Sequence, residues 1–249
     1  MKRISIIIAT YNAAKYIERC LDSIIVQKNN FVEIIIIDGN SSDKTVDIIN
    51  HKYINDIDYF VSEKDNGVYD AWNKGIKVAK GEWIQFIGAD DTLLPGAIEA
   101  YSSFLEENCL EDIDFVSAKS EYVNSQNKLL KYRGNVYQWD IFRRQMCISH
   151  GSTLHSKNLF REVGYYNLNF KLCADYELLL RKGDKVKSLF FDNPVIRMQA
   201  GGMSFSIKGQ FEAFKIKKLH NTIPIFANMY YLTRGILAFI IRKIIWNVK

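Results

Sequence analysis

Three carboxylates in the first hundred residues stand where a ligand could use them. Asp38 closes the run Ile34-Ile35-Ile36-Ile37, and Asp90 and Asp91 follow Trp83-Ile84-Gln85-Phe86-Ile87-Gly88-Ala89. Each apolar run is too short for a buried helix and is bounded by polar turn residues, which places each acid at the end of a strand. Adjacent acids at a strand end repel one another, and a hard divalent cation bridging phosphate oxygens relieves that repulsion. The competing reading is local, with Asp90 or Asp91 capping the turn into the helix beyond Pro95. The chain contains neither G-x-G-x-x-G nor G-x-x-x-x-G-K-[ST], so a nucleotide bound here is held by neither a dinucleotide fingerprint nor a P-loop.

The elements that must hold these acids follow from periodicity. The runs Ile4–Ile8, Ile34–Ile37, Tyr59–Ser62 and Trp83–Ile87 read as strands. Between them Ile17, Leu21, Ile24 and Ile25 recur at helical spacing after Asn12, an expected N-cap. Ser41-Ser42-Asp43 caps a second helix carrying Val46 and Ile49, and Tyr69 to Lys80 places Trp72, Ile76 and Ala79 on one face of a third. Such alternation predicts a doubly wound α/β domain, a mostly parallel central sheet flanked by helices, with ligands beyond the carboxyl ends of the strands. Further on, Pro95 is expected as a first helical position ahead of Ile98, Tyr101 and Leu105. Strands are expected at Phe115–Ala118, Glu121–Val123 and Lys128–Tyr132, and helices near Trp139–Gln145, Lys157–Val163 and Asp175–Lys182.

A length of 249 residues, 48% hydrophobic and 24% charged, suits a single soluble domain and excludes a disordered or fibrous chain. The opening Met1-Lys2-Arg3 precedes an apolar run that stops at Thr10-Tyr11-Asn12 without a cleavage site, so it reads as a first strand and not a signal peptide. Four scattered cysteines make no C-x-x-C pair, which points to reduced thiols and a cytoplasmic setting. Residues 207–249 carry eight Lys or Arg against Glu212 alone, a net +7, while residues 1–206 are at −2. The chain therefore divides into a domain over 1–206, with a nucleotide-binding half (1–92) and an acceptor-side half (93–206), and a basic, apolar helical segment over 207–249. There Ile225, Met229, Leu232, Ile236 and Phe239 fall at helical spacing, and Arg234 interrupts the run, which argues against a membrane span. An amphipathic helix on an anionic membrane surface is one reading, and packing on the domain or in a dimer is the other.

Four segments in order resemble the family 2 glycosyltransferases of the GT-A fold, which are inverting enzymes: Ile6-Ile7-Ile8-Ala9-Thr10-Tyr11-Asn12, Ile37-Asp38-Gly39-Asn40-Ser41-Ser42-Asp43-Lys44-Thr45, Ser62 through Gly75, and Gly88-Ala89-Asp90-Asp91. His150-Gly151-Ser152 and Cys173-Ala174-Asp175-Tyr176-Glu177 look like that family's acceptor side and base position. The resemblance implies that Thr10 and Asn12 line a nucleotide pocket and that Asp38 accepts a hydrogen bond from the base. It implies that the Asp65 segment closes over the nucleotide, with Asp70, Asn73 and Lys74 near the donor. Asp90 would face the ribose or donor sugar, Asp91 would hold Mn2+ or Mg2+ against the diphosphate, with Asp90 an alternative ligand, and Asp175 would be the general base. His150 would contact the acceptor or the diphosphate. Each has a local alternative: Asn12 as a helix cap, Asp70 as a first-turn carboxylate, Lys74 as a solvated charge, His150 as a structural histidine.

The implied reaction moves a hexose from a nucleotide-diphosphate sugar, UDP-linked for preference, to a saccharide or a polyprenyl-diphosphate-linked saccharide in cell-surface polysaccharide or O-antigen assembly. The enzyme would work in the cytoplasm or at the inner face of its membrane. Nucleic acid is not among the implied partners. Two departures stand out: Gly88 holds a place where the family often has another acid, and Gln199 stands where many relatives have a histidine, so Gln199 is not assigned to the metal. Gly201-Gly202 is expected to form a loop over the site. A second carboxylate, Glu177, leaves a double displacement open. Rival readings are a sugar-1-phosphate nucleotidyltransferase, which would want a glycine- and basic-rich loop after the first strand, and a non-catalytic sugar-binding protein.

Overall fold

The computed structural model describes residues 3–201 and 206–245. The expected loop over the site thus lies outside the described residues beyond Gly201. Strand β1 (Ile4–Thr10) is followed by α1 (Ile17–Ile25), β2 (Val32–Asp38), a short α2 (Thr45–Ile48) that runs on through irregular turns to Asp56, β3 (Tyr59–Ser62), α3 (Val68–Val78) and β4 (Trp83–Gly88). β3, β2, β1 and β4 are mutually parallel neighbours, with Ile4 opposite Val32 and Thr10 opposite Asp38. Strands covered on both faces have no need to alternate polar and apolar residues, which is why the isoleucine runs are continuous.

The two-residue period still sorts them. Ile4, Ile6, Ile8, Ile34 and Ile36 join the layer under α1, while Ile7, Ile35, Ile37, Ile84 and Phe86 join the opposite layer under α3. Burial of each such isoleucine contributes about 1.5–3 kcal/mol. The second layer is tight, because a Cβ at Gly75 would lie 2.5 Å from Ile7 Cγ2; only glycine lets α3 approach β1 this closely.

The rest of the sheet is mixed. β5 (Thr92–Leu93) and α4 (Ala97–Glu107) precede β6 (Phe115–Val123), β7 (Leu129–Arg133), α5 (Trp139–Phe142), β8 (Thr153–Ser156), α6 (Lys157–Val163), α7 (Ala174–Lys182) and β9 (Ser188–Gln199). Beyond β4 the order is β8, β6, β9, β5, with β7 on β6. β8 runs antiparallel to β4 and β6, whereas β9 runs parallel to β6.

Several expectations are corrected. The α1 N-cap position is Tyr16, not Asn12, whose φ of 49° belongs to a left-handed turn. Pro95 precedes the helix, which starts at Ala97 after Gly96 in the left-handed region at φ 77°. Phe115 to Val123 is one strand, and β8 and β9 were not expected at all. β9 holds Asp192-Asn193-Pro194, a turn-like triplet that the sheet absorbs by shifts of register between Ala118 and Ser120 on β6.

Beyond the undescribed stretch come α8 (Ile207–Leu219) and α9 (Ile225–Ile245). α8 packs on the domain with Ile216 and Lys217 buried, and Lys217 Nζ donates to Arg144 O at 3.1 Å. Asn228 of α9 donates to Phe214 O of α8 at 3.0 Å. On α9 Leu232, Ile236 and Phe239 are half-buried, while Phe226, Tyr230, Leu237, Ile241 and Ile244 form an exposed stripe. Among the described residues no helix is long and apolar enough to cross a membrane.

Candidate active site

The carboxyl ends of β1, β2 and β3 converge on Asp38. Its side chain is fully buried and accepts four hydrogen bonds: Thr10 Oγ1 at 2.7 Å and Ser41 Oγ at 2.5 Å to Oδ1, Ser41 N at 2.8 Å and Ser62 Oγ at 2.7 Å to Oδ2. An ionised carboxylate has about four acceptor positions, and all are filled by the protein. In this arrangement Asp38 meets the protein's own hydroxyls and one backbone N–H, which makes it a structural tie for the strand ends. It is the post around which three strand ends are tied, and Thr10, itself buried, spends its hydroxyl on that post.

Asn12 belongs to the same structure. Its Oδ1 accepts from Ser42 N at 2.9 Å and its N–H donates to Ser41 Oγ at 2.8 Å, so it joins the turn after β1 to the loop after β2. Asp65 lies across the mouth, its Oδ1 accepting from Gly67 N at 2.8 Å; a Cβ on Gly39 would come within 2.6 Å of its Oδ2. Asp70 accepts from Asn66 N at 3.0 Å and closes the turn into α3. Lys74 pairs with Glu63 at 2.8 Å and donates to Lys64 O at 3.0 Å, holding the segment after β3 against α3.

Asn73 is engaged by the protein itself. Its amide donates to Tyr166 O and accepts from Tyr166 N, both at 2.9 Å, and the side chain is buried. Both polar ends fasten α3 to the Tyr166 segment. His150 is likewise drawn inward, stacked on Trp72 with centroids 4.8 Å apart, its Nε2 2.9 Å from Tyr166 Oη. Burial among aromatic rings lowers its pKa to about 3, so the ring is neutral.

At the end of β4 the two adjacent acids turn toward one space. A Cβ on Gly88 would lie 2.9 Å from Asp90 Oδ1 and 3.2 Å from Asp91 Oδ2. The glycine is therefore what leaves room for both carboxylates. Asp91 is buried; burial first, and then the Asp90 charge, push its pKa well above the usual carboxylate range. It accepts weakly from Gln199 N at 3.3 Å, which ties the end of β9 to the site by backbone and leaves Gln199's amide to donate to Asn127 at 3.0 Å. Arg19 donates to Asp90 O at 2.9 Å. Two convergent carboxylates, one of them buried, fit a hard divalent cation whose other ligands would be phosphate oxygens and water. Among the described residues no third His, Cys, Asp or Glu joins them.

Asp175 stands in the first turn of α7. Its Oδ1 accepts from Tyr69 Oη at 3.0 Å, and burial is the main cause raising its pKa above the usual range, partly offset by the hydrogen bonds from Tyr176 N–H and Tyr69. Tyr69 opens α3 just after β3, which brings Asp175 to the carboxyl edge of the parallel strands, the edge that carries Asp38 and Asp91. Tyr69 was not singled out from the sequence, where it read only as part of a helical face. Glu177 is excluded as a second carboxylate at the reacting centre, because it is buried and bound to Arg181 and to His220 Nε2 at 3.0 Å.

A strand-end carboxylate pair and a further carboxylate on a helix that reaches the same strand edge are an arrangement suited to group transfer. The family model described as Glycosyl transferase family 2 matches residues 5–163, and the chain belongs to that family. A "PGL/p-HBAD biosynthesis glycosyltransferase" of Mycobacterium bovis is 32% identical over 182 residues, 71% of this chain and 68% of the relative. Among solved structures, S. aureus TarS 1-349 in complex with UDP-GlcNAc superposes with a TM-score of 0.65 at 18% identity, covering 94% of this chain and 71% of that one. The mannosyltransferase PcManGT from Pyrobaculum calidifontis, in complex with GDP-Man and Mn2+, gives 0.64 at 17% identity, covering 96% and 74%. The fold is the GT-A fold, and the protein is a glycosyltransferase, which removes the nucleotidyltransferase and non-catalytic readings. The family match ends before Asp175, so the role of that residue rests on its geometry.

Proposed function

We propose that this enzyme moves a hexose, with inversion, from a UDP-sugar to a saccharide or polyprenyl-diphosphate-linked saccharide acceptor in cell-surface polysaccharide synthesis, and that it depends on Mn2+ or Mg2+. The observation that carries the reading is the convergence of Asp90 and Asp91 over Gly88, on the strand edge that Asp175 reaches through Tyr69. The nucleotide enters over the Thr10–Asn12 turn, where the exposed ring of Tyr11 offers a face for stacking a base, and Asp65 lies at the mouth. Asp91, with Asp90 beside it, would hold the cation. When bound, that cation supplies charge neutralisation for the departing diphosphate.

Asp175 takes the proton from the acceptor hydroxyl. That oxygen bonds to the anomeric carbon as the bond from this carbon to the phosphate oxygen breaks, and its electron pair leaves with the diphosphate. Tyr69 orients the Asp175 carboxylate. With Glu177 held by Arg181 and His220, no second carboxylate on α7 serves as nucleophile, which favours a single displacement. Contact with an anionic membrane is supported by the exposed α9 stripe of Phe226, Tyr230, Leu237, Ile241 and Ile244, flanked by Arg234, Arg242 and Lys243, and would bring a lipid-linked acceptor to the inner face.

The test is hydrolysis of a panel of nucleotide sugars with Mn2+ or with EDTA, comparing the wild type with Asp91→Ala. Release of one nucleoside diphosphate that needs metal and is lost in the variant is the expected result. Turnover unchanged by EDTA and by Asp91→Ala would overturn the metal assignment.

A further inference from the structure

The helix that carries Asp175 lacks a cap of its own. Cys173 occupies the N-cap position of α7 without a side-chain capping bond, and cysteine is not among the good capping residues. An acceptor from α8 instead holds the segment that leads into the helix. Glu212 Oε1 accepts from Leu172 N and Cys173 N, both at 2.7 Å, and Oε2 accepts from Lys171 N at 3.0 Å. One carboxylate thus gathers three successive N–H groups at the positive end of α7, where an anion is electrostatically favoured.

Two more ties belong to the same brace. Cys173 Sγ lies 3.5 Å from Gly209 O at the start of α8, and His220 at the end of α8 reaches Glu177 in the first turn of α7. The grips therefore bracket Asp175. The segment that Glu212 holds also bears on Asp175's partner, because Lys171 Nζ donates to Asn66 O at 3.0 Å, in the turn that leads into α3 and Tyr69. Nothing in the reaction itself calls for Glu212. A carboxylate this close to the base makes sense as a fixture for the base's backbone.

We infer that Glu212 is a positioning residue for the catalytic base, fixing the first turn of α7 and with it the direction in which Asp175 meets the acceptor hydroxyl. The inference rests on the assignment of Asp175 as the base.

The charge of Glu212 has a second effect that supplies a readout. The groups acting on Asp175 are Tyr69 of α3, Glu212 of α8, Arg133 of β7, and Tyr166 and Cys173 nearby. Among them Glu212 opposes ionisation of Asp175, a like charge favouring the protonated acid, while Arg133 acts in the other direction. Removing only the charge lets Asp175 ionise at lower pH.

The experiment compares wild type, Glu212→Gln, Glu212→Ala and Asp175→Asn. Asp175 is followed without substrate by 13Cγ-aspartate NMR titration, its signal identified by its loss in Asp175→Asn, and kcat and KM for a UDP-hexose turned over by the wild type are measured against pH. Glu212→Gln, which keeps one acceptor oxygen, is expected to titrate Asp175 at lower pH and to move the acidic limb of kcat/KM the same way, with kcat within a few-fold of wild type. Glu212→Ala, which frees three N–H groups, is expected to lower kcat on the order of 10–100-fold with donor KM nearly unchanged, the signature of a misplaced reacting group. An unmoved Asp175 titration in Glu212→Gln together with wild-type kcat in Glu212→Ala would overturn the inference. Wild-type activity in Asp175→Asn would instead overturn the base assignment beneath it.

Discussion

Replacing Asp38 separates a scaffold from a ligand contact. The fully buried carboxylate receives the hydroxyls of Thr10, Ser41 and Ser62 and the N–H of Ser41. In Asp38→Ala the three hydroxyls can turn to other acceptors, but the Ser41 N–H cannot. Hydrogen bonds to a charged group contribute about 1.5–3 kcal/mol each, and because these four share one network their loss is less than additive, so we expect a cost of about 3–5 kcal/mol. Asp38→Asn is milder. With its oxygen at the Oδ2 position it still accepts from Ser41 N and Ser62, while its amide donates to the Thr10 and Ser41 hydroxyls, which rotate to accept. That leaves the loss of charge assistance, about 1–2 kcal/mol. Urea unfolding of the three proteins without nucleotide, alongside UDP binding by calorimetry, tests this. We expect the midpoint to fall in the order wild type, Asn, Ala at constant slope, with the Asn variant binding UDP within a few-fold of wild type. Wild-type stability in Asp38→Asn combined with a tenfold or greater loss of UDP binding would refute the reasoning and return Asp38 to a direct contact with the base.

Gly88→Ala should insert a methyl group against Asp90 Oδ1 and Asp91 Oδ2, raising the Mn2+ concentration for half-maximal activity on the order of tenfold while far-UV dichroism and donor-independent stability stay near wild type; an unchanged metal requirement would count against the convergent pair. His150, neutral with a pKa lowered to about 3 against 6.5 unfolded, stabilises the fold fully above pH 6.5, and that contribution is lost as pH falls toward 3, because the unfolded chain takes up the proton first. His150→Phe, which keeps a ring on Trp72, should flatten the dependence of the urea midpoint on pH across this window, leaving the part due to the more deeply buried His155; an undiminished slope would show that His150 is not the group responsible.

The N-terminal half was legible because its strands are extreme. Ile34-Ile35-Ile36-Ile37 and Ile6-Ile7-Ile8 are β-branched runs with polar residues at both ends, and the structure extends them by a residue or two without moving them. The C-terminal half hides the same element type behind contrary local signals. β9 crosses Asp192-Asn193-Pro194 inside twelve residues of strand, and only its bulged pairing with β6 lets it continue, a tertiary effect that no local pattern encodes. The tail misled differently: the face read from Met229, Leu232, Ile236 and Phe239 mixes exposed and half-buried positions, because α9 is apolar on two sides and the exposed stripe is the one through Phe226, Tyr230 and Leu237.

At the site itself, residue type and strand-end position located the right ground but could not say which polar atoms were already engaged. Thr10, Asp38 and Asn73 fall in recognisable motifs, yet each directs its hydrogen bonds to the protein's own loops. Asp90, Asp91 and Asp175 also fall in motifs, and what distinguishes Asp91 and Asp175 is that burial holds them above the usual carboxylate pKa. Stability alone would not select that state, since a buried acid without a compensating partner is a cost, whereas the four neutral donors around Asp38 are a structural solution. In the proposed reaction a cation beside Asp91 and an acceptor hydroxyl beside Asp175 would offset that cost. Counting filled acceptor positions therefore sets acids that tie the fold together, such as Asp38 with four donors and Glu212 with three, apart from those proposed to act in the cleft.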